Sequence, residues 1–431
     1  MYNAGEMMSL IARPWRWPER VWLLLLFAIL LARFPIHFMI WPPYLMDFEV
    51  YRAVAERLIH GHAVNLYAPT TSDAMLFKYS PCWALLWIPL AWLTPQAGAV
   101  VWATIGVLAF IWGCWLAQRV CVEALLPAPP WSALMVVTVL VRPLTEEFLN
   151  GQVNLLWGVL VMSFLLAMLR QRSWWAAIWL ALAISLKLPA AIFLPYLFFR
   201  GQWKLLAQAG VALLALHGAT SLLLVPAHPW QLLTAWYQVL RASGPARAFE
   251  IGNQSLLALL GRFLSADPHH LNMAALSLGW LGVLALILSG MLFMLVLQPV
   301  SAALSWRQRI ALDGSLLITL MVLASPTTWV PTYSVLILPV VIASGAAINR
   351  LHRHRSDLAA WLSLFGMLIL SFMTHSGFWR AIGIHAIRGE TYVFMVLMIL
   401  PWLGLFLFAV LWHWRHDQAG VVVSIARTSG N

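Results

Sequence analysis

Asp47 opens the run Asp47-Phe48-Glu49-Val50-Tyr51, the first polar stretch after the first long apolar segment. Only 15 acids occur among 431 residues, so each needs solvation, a partner or chemistry to explain it. A carboxylate held at a membrane interface can take a proton from a hydroxyl-bearing substrate, which makes Asp47 a candidate general base acting on a lipid-linked substrate. A helix N-cap explains the same position, because Asp47 stands just before the first turn of a helical pattern. The two roles are compatible, since a capping carboxylate is ionised and oriented.

Other groups in the chain suit a ligand carrying phosphate and many hydroxyls. Lys78, in Phe77-Lys78-Tyr79-Ser80-Pro81, together with Arg142 and Lys187, supplies the cations near membrane depth that could hold a phosphate diester. Ordinary explanations compete: an interfacial lysine beside its tyrosine for Lys78, and pairing with Glu146 or Glu147 for Arg142. Gln152 and Asn154 offer donors and acceptors, or cap a helix around Gly151. The run Gly252-Asn253-Gln254-Ser255 with Arg262 adds further polar groups. Trp329, in Ser325-Pro326-Thr327-Thr328-Trp329, suits stacking on a sugar or an isoprenoid, or is one more interfacial tryptophan. The histidines are scattered without ligand spacing, so no metal site is expected.

Membrane helices must position these groups. Hydrophobic residues make up 62% of the chain and charged residues 10%, against roughly 25% charged in soluble domains. Apolar runs of spanning length recur at Val21–Ile40, Trp102–Ala117, Leu155–Leu169, Leu205–Val225, Met273–Leu297 and Phe394–Trp412. The expectation is an all-α polytopic membrane protein with 10–13 spans. It forms a single integral membrane domain over residues 1–431, because no polar stretch exceeds loop size. A net charge of +11 does not indicate nucleic acid, since the basic residues gather at helix ends, where they face cytoplasm and anionic lipid. Arg13, Arg16 and Arg20 precede an uncleaved first helix with a cytoplasmic N-terminus. Cys82, Cys114 and Cys121 lack paired spacing and read as buried thiols.

Charge asymmetry sets the topology. The basic loop at residues 349–357, opening Asn349-Arg350-Leu351-His352-Arg353-His354-Arg355, must be cytoplasmic. Counting back from it puts Ser325–Thr332 on the outer face, Arg307 and Arg309 inside, and the long loop 227–272 outside. Asp47, in the first outer loop over residues 41–80, also faces out. Residues 47–61 form an amphipathic interfacial helix, with Phe48, Tyr51, Val54, Ala55, Leu58 and Ile59 on one side. Glu49, Arg52 and Glu56 lie opposite, at ion-pair spacing. Between the basic ends Arg170–Arg172 and Arg200–Lys204, the segment holding Lys187-Leu188-Pro189 reads either as one span or as a hairpin. The hairpin is favoured, because it keeps both basic ends inside and raises Lys187 toward the outer face.

In order and spacing, these runs resemble the polyprenol-phosphate-mannose-dependent alpha-mannosyltransferase family, of the GT-C class of membrane glycosyltransferases. The resemblance covers about Leu45 to Ala343. Five signatures carry it: Asp47 to Tyr51; Gly61 to Tyr67 with Tyr79-Ser80-Pro81; Gly151 to Asn154; Lys187-Leu188-Pro189 with Arg200 to Trp203; and Gly252 to Arg262 with Ser325 to Trp329. It implies a GT-C-like helical bundle with interfacial helices on the outer face of the cytoplasmic membrane. It also implies a polyprenyl-phosphate-linked donor, a glycolipid or glycan acceptor, and no cofactor, nucleotide or metal. Asp47 would be the base of an inverting displacement, with Lys187, Lys78 or Arg142 on the donor phosphate. Tyr51, Tyr79, Gln152, Asn154, Asn253, Gln254, Ser255, Arg262 and Trp329 would contact substrate. One departure stands out: Val330-Pro331-Thr332-Tyr333 follows Trp329 where the family often has histidine, so mannose carries over less firmly than a polyprenyl-phosphate sugar. A transporter or flippase of lipid-linked sugars, or a non-catalytic assembly partner, would share the composition. The transporter reading does not explain an outer amphipathic helix headed by an acid.

Overall fold

The computed structural model describes residues 17–41, 43, 45–69, 75–246, 250, 252–264, 273–292, 304–384 and 390–428. Arg13 and Arg16 of the basic N-terminal stretch and parts of the 41–80 and 227–272 segments lie outside the described residues. Every regular element among the described residues is helical, as the composition predicts. Pro95–Glu123, Trp203–Leu224, Val330–Arg353 and Val396–Gln418 are long and apolar enough to cross a bilayer. Met273–Leu292 is a further apolar helix of 20 residues, and several other apolar runs are shorter or broken. Val141–Asn150 and Asn154–Leu169 form a pair bent by 117°, and Pro81–Ala91, Ser173–Leu186, Leu188–Phe199 and Leu358–Met373 each have fewer than 18 residues.

The breaks have local causes. Pro35 lies inside a π-helical turn, Ala32–Ile36, where its missing N–H and its ring disturb the regular ladder. Thr94 caps the next long helix through Ala97 N at 3.3 Å, with Pro95 at its first position. Gly151 ends Val141–Asn150 with φ 68° and ψ 40°, a left-handed conformation that favours glycine. Lys187 is extended (φ −145°, ψ 120°) between Ser173–Leu186 and the 3-10 turn Leu188–Ile192, with Pro189 at the second position of that turn.

The chain runs repeatedly between two ends of the bundle. At one end, Arg170 pairs with Glu123 at 2.6 Å, Arg200 with Asp313 at 2.6 Å, and Arg350 with Asp357 at 2.7 Å and with Asp417. Arg172 and Arg200 border one cavity there. Lys187 borders a different one, together with Asp47. The segment thus leaves the basic end at Ser173, reverses at Lys187 and returns to Arg200, which is the hairpin the charge pattern favours. Ser173–Leu186 alone spans about 20 Å, at about 1.5 Å per residue.

The interfacial helix runs Met46–Ile59 and buries Phe48, Val50, Tyr51, Val54 and Ala55. Ile59, expected on that face, is 42% exposed. Arg52 pairs with Glu56 at 3.0 Å on the polar side, as the spacing predicts. Asp47 is not the N-cap: the cap is Leu45, which makes no side-chain cap bond, and Asp47 is the second helical residue. It still gains from the positive end of the helix dipole. The segment read as a loop over 227–272 contains two helices, Trp230–Ala246 and Leu256–Leu264. Apolar residues at helical spacing account for the first: Leu232 is buried, and Ala235, Trp236 and Val239 pack against the core.

Gly151 joins these elements. A Cβ there would lie 3.0 Å from Phe48 Cβ and 3.2 Å from Leu45 Cβ, where the interfacial helix begins. Gly151→Ala is therefore expected to destabilise the protein by about 1–2 kcal/mol, measured as a lower unfolding midpoint in detergent. Gly210→Ala, where an added Cβ meets nothing within 4 Å, should leave the midpoint unchanged or raise it.

Candidate active site

An aromatic cluster holds the interfacial helix in register. Tyr51 stacks on Trp87 with ring centroids 4.6 Å apart, and Trp87 meets Trp102 edge-on at 4.6 Å. Trp102 Nε1 donates to the Gly151 carbonyl at 2.8 Å, tying this cluster to the broken helix. Tyr51 and Tyr79 share a hydroxyl contact at 3.1 Å, and Tyr67 donates to the Tyr79 carbonyl at 2.9 Å. Burial first, and then nearby groups including the Asp47 carboxylate, push the Tyr51 and Tyr79 phenols above their ordinary range. Both stay protonated and serve as neutral hydrogen-bonding groups.

The backbone break after Gly151 turns a polar sequence inward. Gln152 Nε2 donates to Asp47 Oδ2. Asn154 Nδ2 donates to Glu147 Oε2 at 2.7 Å, with a longer contact to Gln152 Oε1 at 3.4 Å. Asn154 Oδ1 accepts from Lys187 Nζ at 2.5 Å. A continuous polar chain therefore runs from Asp47 through Gln152 and Asn154 to Lys187. Lys187 also sits 5.8 Å over the Trp157 ring and is attracted by both Glu147 and Asp47.

These groups open on a cavity of about 960 Å³. Asp47, Tyr51, Lys78, Tyr79, Arg142, Gln152, Lys187, Gln254 and Trp329 all line it, bringing together six segments distant in sequence. The lining also includes Met75, Leu188, Pro189, Ile192, Leu284 and Val396, so one site offers both charged and hydrocarbon surface. Such a volume suits a ligand of several rings or chains. Arg142 is anchored by the Thr374 carbonyl and lies 3.7 Å from Glu146, so the expected pairing is with Glu146 and not Glu147. Gln254 is buried, and its Oε1 finds no partner among the described residues.

Four expected substrate contacts lie behind that wall. Asn154 is fully buried and spends its amide on Glu147 and Lys187. Asn253 Oδ1 accepts from Ser255 N and Thr328 N, each at 3.0 Å, while its Nδ2 donates to the Pro326 carbonyl at 2.9 Å. Ser255 donates to the same carbonyl at 3.1 Å and accepts from Ala258 N at 3.0 Å. Arg262 donates to the carbonyls of Asn253 at 3.2 Å and Glu250 at 2.8 Å. Asn253 and Ser255 fasten the 252–255 segment to the Ser325–Trp329 turn, which presents Gln254 and Trp329, and Arg262 braces that segment from the following helix. Gly252 is required there because the Trp329 ring lies directly against its Cα.

Glu147 is the site member that residue type alone did not single out. It accepts from Asn154, from Leu155 N at 2.9 Å and from Ser334 Oγ at 3.4 Å. Its signal lay in spacing: it follows Pro143 by four residues and Leu144 by three, which places it on the buried face of Val141–Asn150.

The chain is 26% identical over 405 residues to the polyprenol-phosphate-mannose-dependent alpha-(1-2)-phosphatidylinositol mannoside mannosyltransferase of Mycobacterium tuberculosis, covering 84% of this chain and 85% of that protein. It is 30% identical over 283 residues to the corresponding pentamannoside mannosyltransferase of Mycolicibacterium smegmatis, covering 61% and 66%. Among solved structures, ArnT from Cupriavidus metallidurans bound to undecaprenyl phosphate aligns with a TM-score of 0.42 and 14% identity, covering 91% of this chain and 77% of that one. The model of glycosyltransferase family 87 matches residues 77–326, a stretch that begins after Asp47 and contains Lys78, Arg142, Gln152, Lys187 and Gln254. The match spans more than half of the 431 residues, and the chain belongs to glycosyltransferase family 87.

Proposed function

We propose that the protein transfers a hexose, mannose in the first instance, from a polyprenyl-phosphate donor to a lipid or glycan acceptor at the outer face of the cytoplasmic membrane. The observation that carries this reading is the polar chain Asp47–Gln152–Asn154–Lys187, which sets a carboxylate and an ammonium at the wall of one cavity. The names of the mycobacterial relatives supply the donor class.

The chemistry follows from that placement. Asp47 removes the proton of the acceptor hydroxyl as its oxygen attacks the anomeric carbon. The bond from that carbon to the phosphate oxygen breaks, and polyprenyl phosphate leaves with the electron pair. Attack opposite the leaving group inverts the anomeric centre. Gln152 fixes the plane of the Asp47 carboxylate, a positioning role that costs no reorganisation during reaction. Lys187, with Arg142 and Lys78 on the same cavity, stabilises charge on the departing phosphate. Trp329 suits a sugar face. The apolar lining suits the first isoprene units.

The test is transfer from radiolabelled polyprenyl-phosphate-mannose by purified protein in lipid. Asp47→Asn is expected to lower kcat at least about 100-fold with donor binding retained, and Lys187→Met to lower kcat/KM by about 100-fold. Wild-type turnover by Asp47→Asn would remove the base assignment. Movement of the donor between leaflets without transfer would instead make the protein a transporter.

A second measurement addresses the support behind Lys187. Glu147→Gln removes the buried carboxylate that faces the ammonium, and should cost about 2 kcal/mol in unfolding free energy. The double variant with Lys187→Met should lose clearly less than the sum of the two single losses. Additive losses would show that the pair is not coupled.

A further inference from the structure

The hairpin that presents Lys187 borders a second cavity at its other end. This cavity measures about 450 Å³, and its lining includes Arg172, Arg200, Lys204, Arg309 and Trp306 but no carboxylate. Behind the wall, Asp313 is 2% exposed and pairs with Arg200 at 2.6 Å and with Arg415 at 3.2 Å. Four cations thus converge on one cavity.

Retention of positive charge on one side of a membrane calls only for exposed basic residues at helix ends. It does not call for their convergence on a cavity lined by no carboxylate. Like charges brought together repel, and a bound anion relieves that repulsion. Guanidinium forks match the geometry of phosphate oxygens, and basic pockets between membrane helices are suited to lipid headgroups. We propose that this cavity is a phosphate-binding site, occupied by the phosphate of an anionic phospholipid headgroup at the bilayer surface. The proposal stands apart from the sugar-transfer reading, because none of its residues borders the larger cavity.

The experiment uses full-length protein in detergent and native mass spectrometry, with phosphatidylglycerol, phosphatidylcholine and inorganic phosphate as probes. The wild type should retain one more phosphatidylglycerol than Arg172→Gln/Lys204→Gln/Arg309→Gln, with phosphatidylcholine retention equal in both. Each neutralised cation should weaken retention about five-fold, so the triple variant should lose on the order of a hundredfold. Arg172→Lys/Arg309→Lys, which keeps the charge, should stay within a few-fold of wild type. If the triple variant unfolds at a lower midpoint, the exposed single change Lys204→Gln carries the test through its own five-fold loss. Inorganic phosphate that binds and is not displaced by phosphatidylglycerol would keep the phosphate site and assign it to the free ion. Equal phosphatidylglycerol retention by wild type and the charge-neutral variants would overturn the site, as would a wild type that binds neither probe.

Discussion

An ammonium group set among apolar helices is tolerated only where its charge and its donors are met. Lys187 satisfies that condition through Asn154, the Trp157 face and the buried carboxylate of Glu147. Much of the surrounding structure follows from this requirement. Asn154 and Glu147 can reach each other only because the helix breaks at Gly151 and restarts at Asn154. Lys187 can reach Asn154 only because its own segment turns back at Pro189 instead of crossing as one helix. Two broken elements face one another, and each break supplies side chains that an unbroken helix would have aimed elsewhere.

Asp47 is brought to this pair by packing. Phe48 and Tyr51 are fully buried beside Trp87 and Trp102, so the interfacial helix has one register that satisfies its apolar face. That register places Asp47 against Gln152, whose orientation is set by the same glycine that Phe48 and Leu45 abut. A rigid aromatic base under an exposed carboxylate edge is a sound arrangement for a group that must be positioned before reaction. On the far side of the cavity, Asn253, Ser255 and Arg262 do comparable service with hydrogen bonds. Asn253 and Ser255 pin a segment to the Pro326 turn, and Arg262 holds the Asn253 carbonyl, so that Gln254 and Trp329 line the cavity.

The basic end of the bundle obeys a different rule. Its charges are paired where they are deep, as at Asp313, and solvated where they are shallow, as at Arg172 and Lys204. The hairpin therefore has cations at both its tip and its base, one serving the large cavity and several serving the small one. Physical separation by the length of a helix keeps the two groups electrostatically distinct.

How much of this was legible beforehand depended on whether the signal was periodic or directional. Hydropathy, charge asymmetry and the positions of proline and glycine were enough for the helical membrane class, the amphipathic helix that carries Asp47 and the reversal at Lys187; the gathering of Asp47 with Lys78, Arg142, Gln152, Gln254 and Trp329 drew also on the family resemblance. The first three features rest on period, length and backbone chemistry, which a sequence carries directly. Where a polar side chain spends its hydrogen bonds is not carried that way. Asn154, Asn253, Ser255 and Arg262 looked like ligand contacts but hold backbone or other side chains, and Asp47 looked like a cap but is the second residue of its helix. Glu146 and Glu147 are adjacent in the chain, yet one faces Arg142 at the cavity and the other sits in the core. A helix turns about 100° per residue, so only the packing of its neighbours decides which of two consecutive acids is buried, and that decision belongs to the tertiary structure.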